Sequence, residues 1–144
     1  MRFPSFAVAI VVLSTLIFTP AARADDLKAM EGKWKVESAE AGGKPVESPE
    51  LKALVVTITG DRYELMTDEG PDGGTLKLDE TQNPKAMDAT DTEGLTVGKM
   101  IKAIYELSGD TLRVCYALDG GERPKEFATK ADSPLLLITY RREK

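Results

Sequence analysis

The sequence predicts an all-β protein: an antiparallel up-and-down β-barrel of about eight or nine short strands, with one or two short helices. Three observations carry that expectation. Short runs of alternating apolar and polar residues recur at roughly 8–12-residue spacing. The turns between them are tight, with Gly60-Asp61 and Gly109-Asp110 as hairpin pairs in which glycine takes φ > 0 without steric cost. Helical signals are confined to single turns. Consecutive hairpins favour an up-and-down barrel over the long crossovers of a Greek key.

The elements follow in order. Residues 1–24 read as a secretory signal peptide: Arg2, an apolar run Phe6–Phe18, then Ala22-Arg23-Ala24 before Asp25. The run is shorter than the roughly 20 residues that span a bilayer, so cleavage and export are expected rather than stable membrane insertion. The domain proper is residues 25–144. Asp26–Met30 is one helical turn, stopped by Gly32, and a strand runs from Gly32 to Ala39 with Trp34, Val36 and Ser38 on one face. Gly42-Gly43-Lys44-Pro45 breaks it. Ser48-Pro49-Glu50 opens a short helix reaching Leu54, with Ser48 as cap and proline at the first helical position.

Val55–Thr59 and Arg62–Met66 form a hairpin in which Ile58 meets Tyr63 and Val56 meets Leu65. Asp68–Gly74 reads as a turn, Thr75–Leu78 as a short strand and Ala86–Thr90 as a weak one with Met87 and Ala89 together. After an Asp91–Gly98 turn, Lys99–Leu107 and Thr111–Tyr116 form the best-specified hairpin. There Leu107 faces Leu112, Tyr105 faces Val114, Ala103 faces Tyr116, and Glu106 opposes Arg113 on the outer face. Glu126–Thr129 reads as a strand carrying Phe127. Leu135–Arg142 is the last, with Leu136, Ile138, Tyr140 and Arg142 on one face.

Charge and composition narrow the function. Setting aside Arg2 and Arg23 leaves 17 basic against 24 acidic side chains, a net charge of −7. Such a domain is repelled by phosphate backbones and anionic lipid, so nucleic acid is not an expected partner. Cys115 stands alone, which excludes an internal disulfide. It reads as a small packed hydrophobe, with an intermolecular disulfide as the alternative. The chain contains no histidine, which removes the commonest general base and most zinc sites. No metal, cofactor or catalytic residue is expected. The acidic turns Asp68–Gly74 and Asp88–Gly94 lack the order of a calcium loop, and the Gly-Gly pairs at 42–43, 73–74 and 120–121 read as turns, not phosphate cradles.

Gly32-Lys33-Trp34 after a helical turn is similar to the glycine-x-tryptophan motif of lipocalins. That resemblance implies an arginine of the last strand over the tryptophan, closing the barrel base. Arg142 is the better match by face, with Arg141 as the fallback. More broadly, the chain resembles the small lipocalin-like domain of exported planctomycete proteins, a family without an established function. The matching pieces are Gly32–Val36 with Gly43–Pro45, Thr57–Tyr63, Tyr105–Leu112 with Cys115-Tyr116, Arg123-Pro124 before Phe127, and Arg142–Lys144. The resemblance implies an exported barrel and brings no catalytic residues.

The aromatic residues Trp34, Tyr63, Tyr105, Tyr116, Phe127 and Tyr140 mostly sit in phase with apolar neighbours. Eight strands enclose an interior that side chains fill or that holds one small ligand. A packed core is the first reading of those rings and a small, partly polar cavity the second. The expected activity is that of an exported, periplasmic or extracellular, monomeric binding module for a small, mostly apolar molecule. Its lumen candidates are Trp34, Val36, Tyr63, Leu65, Tyr105, Val114, Tyr116 and Tyr140, and its mouth would be framed by 42–48, 68–74 and 91–98. The rival is a closed-core structural or protein-interaction domain that meets another exported protein through its loops and through outer-face residues such as Thr57, Glu64, Glu106 and Arg113.

Overall fold

The structure, a computed structural model, describes residues 25–144; the signal-peptide reading of 1–24 lies outside the described residues. The chain forms α1 (Asp26–Ala29), β1 (Gly32–Ala41), β2 (Lys44–Pro45), α2 (Pro49–Lys52), β3 (Val55–Thr59), β4 (Arg62–Thr67), β5 (Gly70–Asp79), β6 (Lys85–Glu93), β7 (Met100–Ser108), β8 (Thr111–Ala117) and β9 (Leu135–Arg142). Strands β1 and β3 to β9 pair in sequence order, all antiparallel, and β9 returns to β1. The result is a closed eight-stranded up-and-down barrel. The two-residue β2 is an extra strand on the far end of β1.

Both glycine–aspartate hairpins have the register that alternation demands. Ile58 pairs with Tyr63 and Val56 with Leu65 across β3–β4. Leu107 pairs with Leu112, Tyr105 with Val114 and Ala103 with Tyr116 across β7–β8. Gly60 and Gly109 take φ of 59° and 57°, which suits the tight turn. Glu106 and Arg113 meet at 3.2 Å on the exposed side.

Four elements depart from the sequence reading. A bulge between Val36 and Ser38 shifts the phase of β1, so Ala39 rather than Ser38 joins Trp34 and Val36 inside. Gly70–Gly74 is not a turn but the first half of a ten-residue strand. Its glycines are there because neighbours crowd them: a Cβ on Gly73 would lie 2.7 Å from the Tyr63 carbonyl, and one on Gly74 2.0 Å from that of Thr90. Strand β6 runs on to Glu93, which draws Asp91 out of the expected turn and into the barrel wall. Residues 126–129 form no strand.

Phe127 accordingly lies outside the barrel, with the Arg113 guanidinium 4.4 Å from its ring. It belongs to a strap, residues 118–134, that crosses the outer face of β6, β7 and β8. Arg123 pins the strap by donating to the carbonyls of Met87 (3.0 Å) and Ala103 (2.8 Å) and to Asp88 (2.6 Å). Beneath it Ala86, Ile104, Cys115 and Ala117 are buried, although they face away from the lumen. Burial pushes the Cys115 thiol above its ordinary pKa.

One end of the barrel is sealed. Trp34 is fully buried and donates its indole N–H to the Met30 carbonyl at 2.8 Å. Of the two arginines that end β9, Arg142 stacks on the indole at 4.3 Å, while Arg141 pairs outside with Glu37. The Arg142 fork donates to the Ala29 and Glu31 carbonyls and to Asp110, tying α1, β1 and the β7–β8 turn together. Gly32 is required beneath it, with φ of 132° and only 3.0 Å between a built Cβ and the Arg142 nitrogen. Beside this closure Asp26 accepts from Tyr105 (2.7 Å) and Lys85 (2.9 Å).

Candidate functional site: the barrel cavity

Above Trp34 the interior is not filled. A cavity of ≈ 310 Å³ remains, walled mainly by Val56, Ile58, Leu76, Met87, Leu112 and Val114. These come from β3, β5, β6 and β8, whose inward positions recur every second residue, so each strand contributes a short apolar column. Small residues opposite the large ones keep the space open: Ala89 lines the same wall, and Gly74 carries no side chain.

The polar groups gather away from the sealed end. Tyr63 donates its phenolic proton to Asp91 Oδ1, and Thr96 donates its hydroxyl proton to Asp91 Oδ2. Gly74 makes the first contact feasible, since a Cβ there would stand 2.8 Å from the Tyr63 oxygen. The 94–98 loop that carries Thr96 is fastened by Gly98 N–H to the Asp91 carbonyl at 2.7 Å. Across the lumen the Tyr116 and Tyr140 hydroxyls are 2.9 Å apart. Asp72 also lines the cavity; its Oδ1 is buried and has no hydrogen-bond partner among the described residues.

Burial, followed by the Asp91 carboxylate beside it, pushes the Tyr63 phenol far above its ordinary pKa. Burial likewise raises Tyr116 and takes Tyr140 up to about 12. All three therefore stay protonated at neutral pH and serve as hydrogen-bonding hydroxyls, not as bases. Among the described residues, no lysine or arginine lines the cavity.

The cavity adjoins a larger cleft of ≈ 690 Å³ between α2, the β4–β5 turn and the 94–96 loop, with Leu54, Asp72 and Thr96 common to both. Glu50, Asp68 and Glu69 stand on this mouth. Ser48, 68–72 and 94–96 from the expected loops frame it, but α2 takes the place of the Gly42–Val46 hairpin. No family model, curated protein or solved structure matches this chain.

Of the lumen candidates, Trp34, Tyr63, Leu65, Val114, Tyr116 and Tyr140 line the cavity. Val36 and Tyr105 do not. Both are buried beside it, and the Tyr105 hydroxyl is turned toward Asp26 near the sealed end. The lumen set read from sequence left out the wall residues Val56, Ile58, Leu76, Met87 and Leu112, and of the polar groups it missed Asp72, Asp91 and Thr96. The first two were within reach of alternation: Asp91 continues the phase of Met87 and Ala89, and Asp72 precedes Leu76 and Leu78 by even steps. Among the described residues, no three histidine, cysteine, aspartate or glutamate side chains group as a metal site. The arrangement offers enclosure, apolar contact and a few fixed hydroxyl and carboxylate groups.

Proposed function

We propose that the chain is an exported, monomeric, non-enzymatic binding module that holds a small, mostly apolar molecule in the lumen of a lipocalin-like barrel. The observation that supports this reading is the ≈ 310 Å³ cavity, left open although five aromatic rings line or adjoin it, and adjoining a wider mouth. That volume is at the lower end of small-molecule sites, which run from roughly 300 to 1,000 Å³. Export rests on the leader-like residues 1–24, and the likeness to the exported planctomycete domain points the same way.

Trp34 is the only tryptophan in the sequence and lines the cavity, so its fluorescence reports directly on occupancy. Titration with a panel of small hydrophobic probes is expected to give a saturable change that Val114→Phe weakens by filling part of the lumen. A flat response across the panel, with the protein folded, would overturn the reading. A second reading, docking to another exported protein through the mouth loops, is favoured by the exposure of Met66 (68%), Leu95 (82%) and Val97 (63%). In that case probe binding is absent and Leu95→Asp abolishes the association.

A further inference from the structure

Among the described residues two aspartates are buried, and their surroundings differ. Asp26, at the sealed end, is 6% exposed and has Lys85 at 2.9 Å as its counter-charge. Asp91, in the cavity wall, is 8% exposed and is met only by two neutral hydroxyls, Tyr63 and Thr96. A carboxylate taken out of water is stabilised best by a charged partner. Among the described residues, Asp91 has none.

The surroundings extend the same bias. Asp72 lines both the cavity and the mouth, and its Oδ1, buried against Gly94, has no hydrogen-bond donor among the described residues. Glu50, Asp68 and Glu69 line the approach, and among the described residues no lysine or arginine lines either space. Low-dielectric walls focus such a field and draw in ligands of the opposite sign. Deeper in, the paired hydroxyls of Tyr116 and Tyr140 offer further acceptors.

We propose that the ligand is a small organic cation, an ammonium group joined to an apolar body. Its ammonium would sit between Asp72 and Asp91 at the neck, and its apolar part would occupy the space walled by Val56, Ile58, Leu112 and Val114. The proposal rests on the lumen-binding reading above and adds the sign of the head group. Anionic amphiphiles such as fatty acids are excluded by the same field.

The test uses three probes that share one ring and differ in charge: 2-phenylethylamine, 2-phenylethanol and 3-phenylpropionate. Each is titrated against the folded domain at pH 7, read by Trp34 fluorescence and by calorimetry. The amine is expected to bind roughly tenfold or more tightly than the alcohol, and the carboxylate more weakly than either. Asp72→Asn and Asp91→Asn each bring the amine-to-alcohol ratio toward one, whereas Glu106→Gln on the outer face leaves it unchanged. Should Asp91→Asn fail to fold, Asp72→Asn and the loss of amine preference with rising salt carry the test. Amine and alcohol binding equally, or the carboxylate binding best, overturns the cation proposal while leaving the lumen reading intact. Binding of none of the three, together with a flat response to the wider panel, overturns both.

Discussion

Replacing Arg142 with methionine isolates what the arginine fork contributes, because methionine preserves much of the apolar stem. Three terms are lost. The first is the stack on Trp34 at 4.3 Å, about 1 kcal/mol for a side chain that is 24% exposed. The second is the pair of hydrogen bonds to the Ala29 and Glu31 carbonyls, and the third is the 3.2 Å contact with Asp110. Charged donors contribute about 1.5–3 kcal/mol each in buried settings. Both carbonyls lie near the surface, where water replaces much of that, so the combined loss is about 2–4 kcal/mol. Urea unfolding followed by Trp34 emission measures it at the place where it occurs. With a slope of about 1.5 kcal/mol/M, the midpoint should fall by about 1.3–2.7 M, and the native emission should move to the red as water reaches the indole. Arg142→Lys, which keeps a charge but not the fork, should lie between. A methionine variant whose midpoint stays within about 0.3 M of the parent, with unchanged emission, would refute the idea that this contact holds the end shut.

Two further outcomes are expected. Gly74→Ala must displace the Thr90 backbone or the Tyr63 phenol and should cost about 3 kcal/mol in thermal unfolding, whereas Gly109→Ala meets no atom within 4 Å and should cost about 1 kcal/mol through its positive φ alone; equal losses would contradict the close-approach account of β5. Burial raises the pKa of Asp26, but hydrogen bonds from Lys85 and Tyr105 outweigh it and hold the carboxyl below its ordinary value. Its contribution is therefore complete above the unfolded pKa of about 3.9 and is lost as pH falls through the lower folded value. In a Glu80→Gln background, which removes the neighbouring acid, Asp26→Asn should be the less stable protein at pH 7 and should converge on its parent as pH falls through that window. Curves that stay parallel from pH 6 to pH 2.5 would exclude the linkage.

What the sequence made legible was local. The β3–β4 and β7–β8 registers follow from a turn that accepts only one geometry and from faces that a one-residue slip would exchange. Gly70–Gly74 was opaque because glycine is a poor strand former by itself, and the crowding by Tyr63 and Thr90 that demands it is a tertiary fact. The bulge at Val36/Ser38 leaves no mark in the alternation until β9 is seen alongside. Phe127 sits in an apolar-looking run that packs on Arg113 from outside, which no periodicity distinguishes from an inward strand. In the cavity, the aromatic and aliphatic lining was accessible from phase, and so was Asp91 had β6 been carried one residue further. The free volume was not, since it depends on how the tilt and stagger of all eight strands set the barrel's width.

The seam between β1 and β9 has a consequence for how the molecule reaches this state. Partners across it, such as Trp34 and Arg142, lie roughly a hundred residues apart, and contacts of that range form slowly. Before the seam zips, the curled sheet carries two bare margins able to template a neighbouring chain. Afterwards each of the eight staves is flanked on both sides. The hazard of aggregation is thus confined to a moment in folding, and the arginine latch at the foot of the seam ends it.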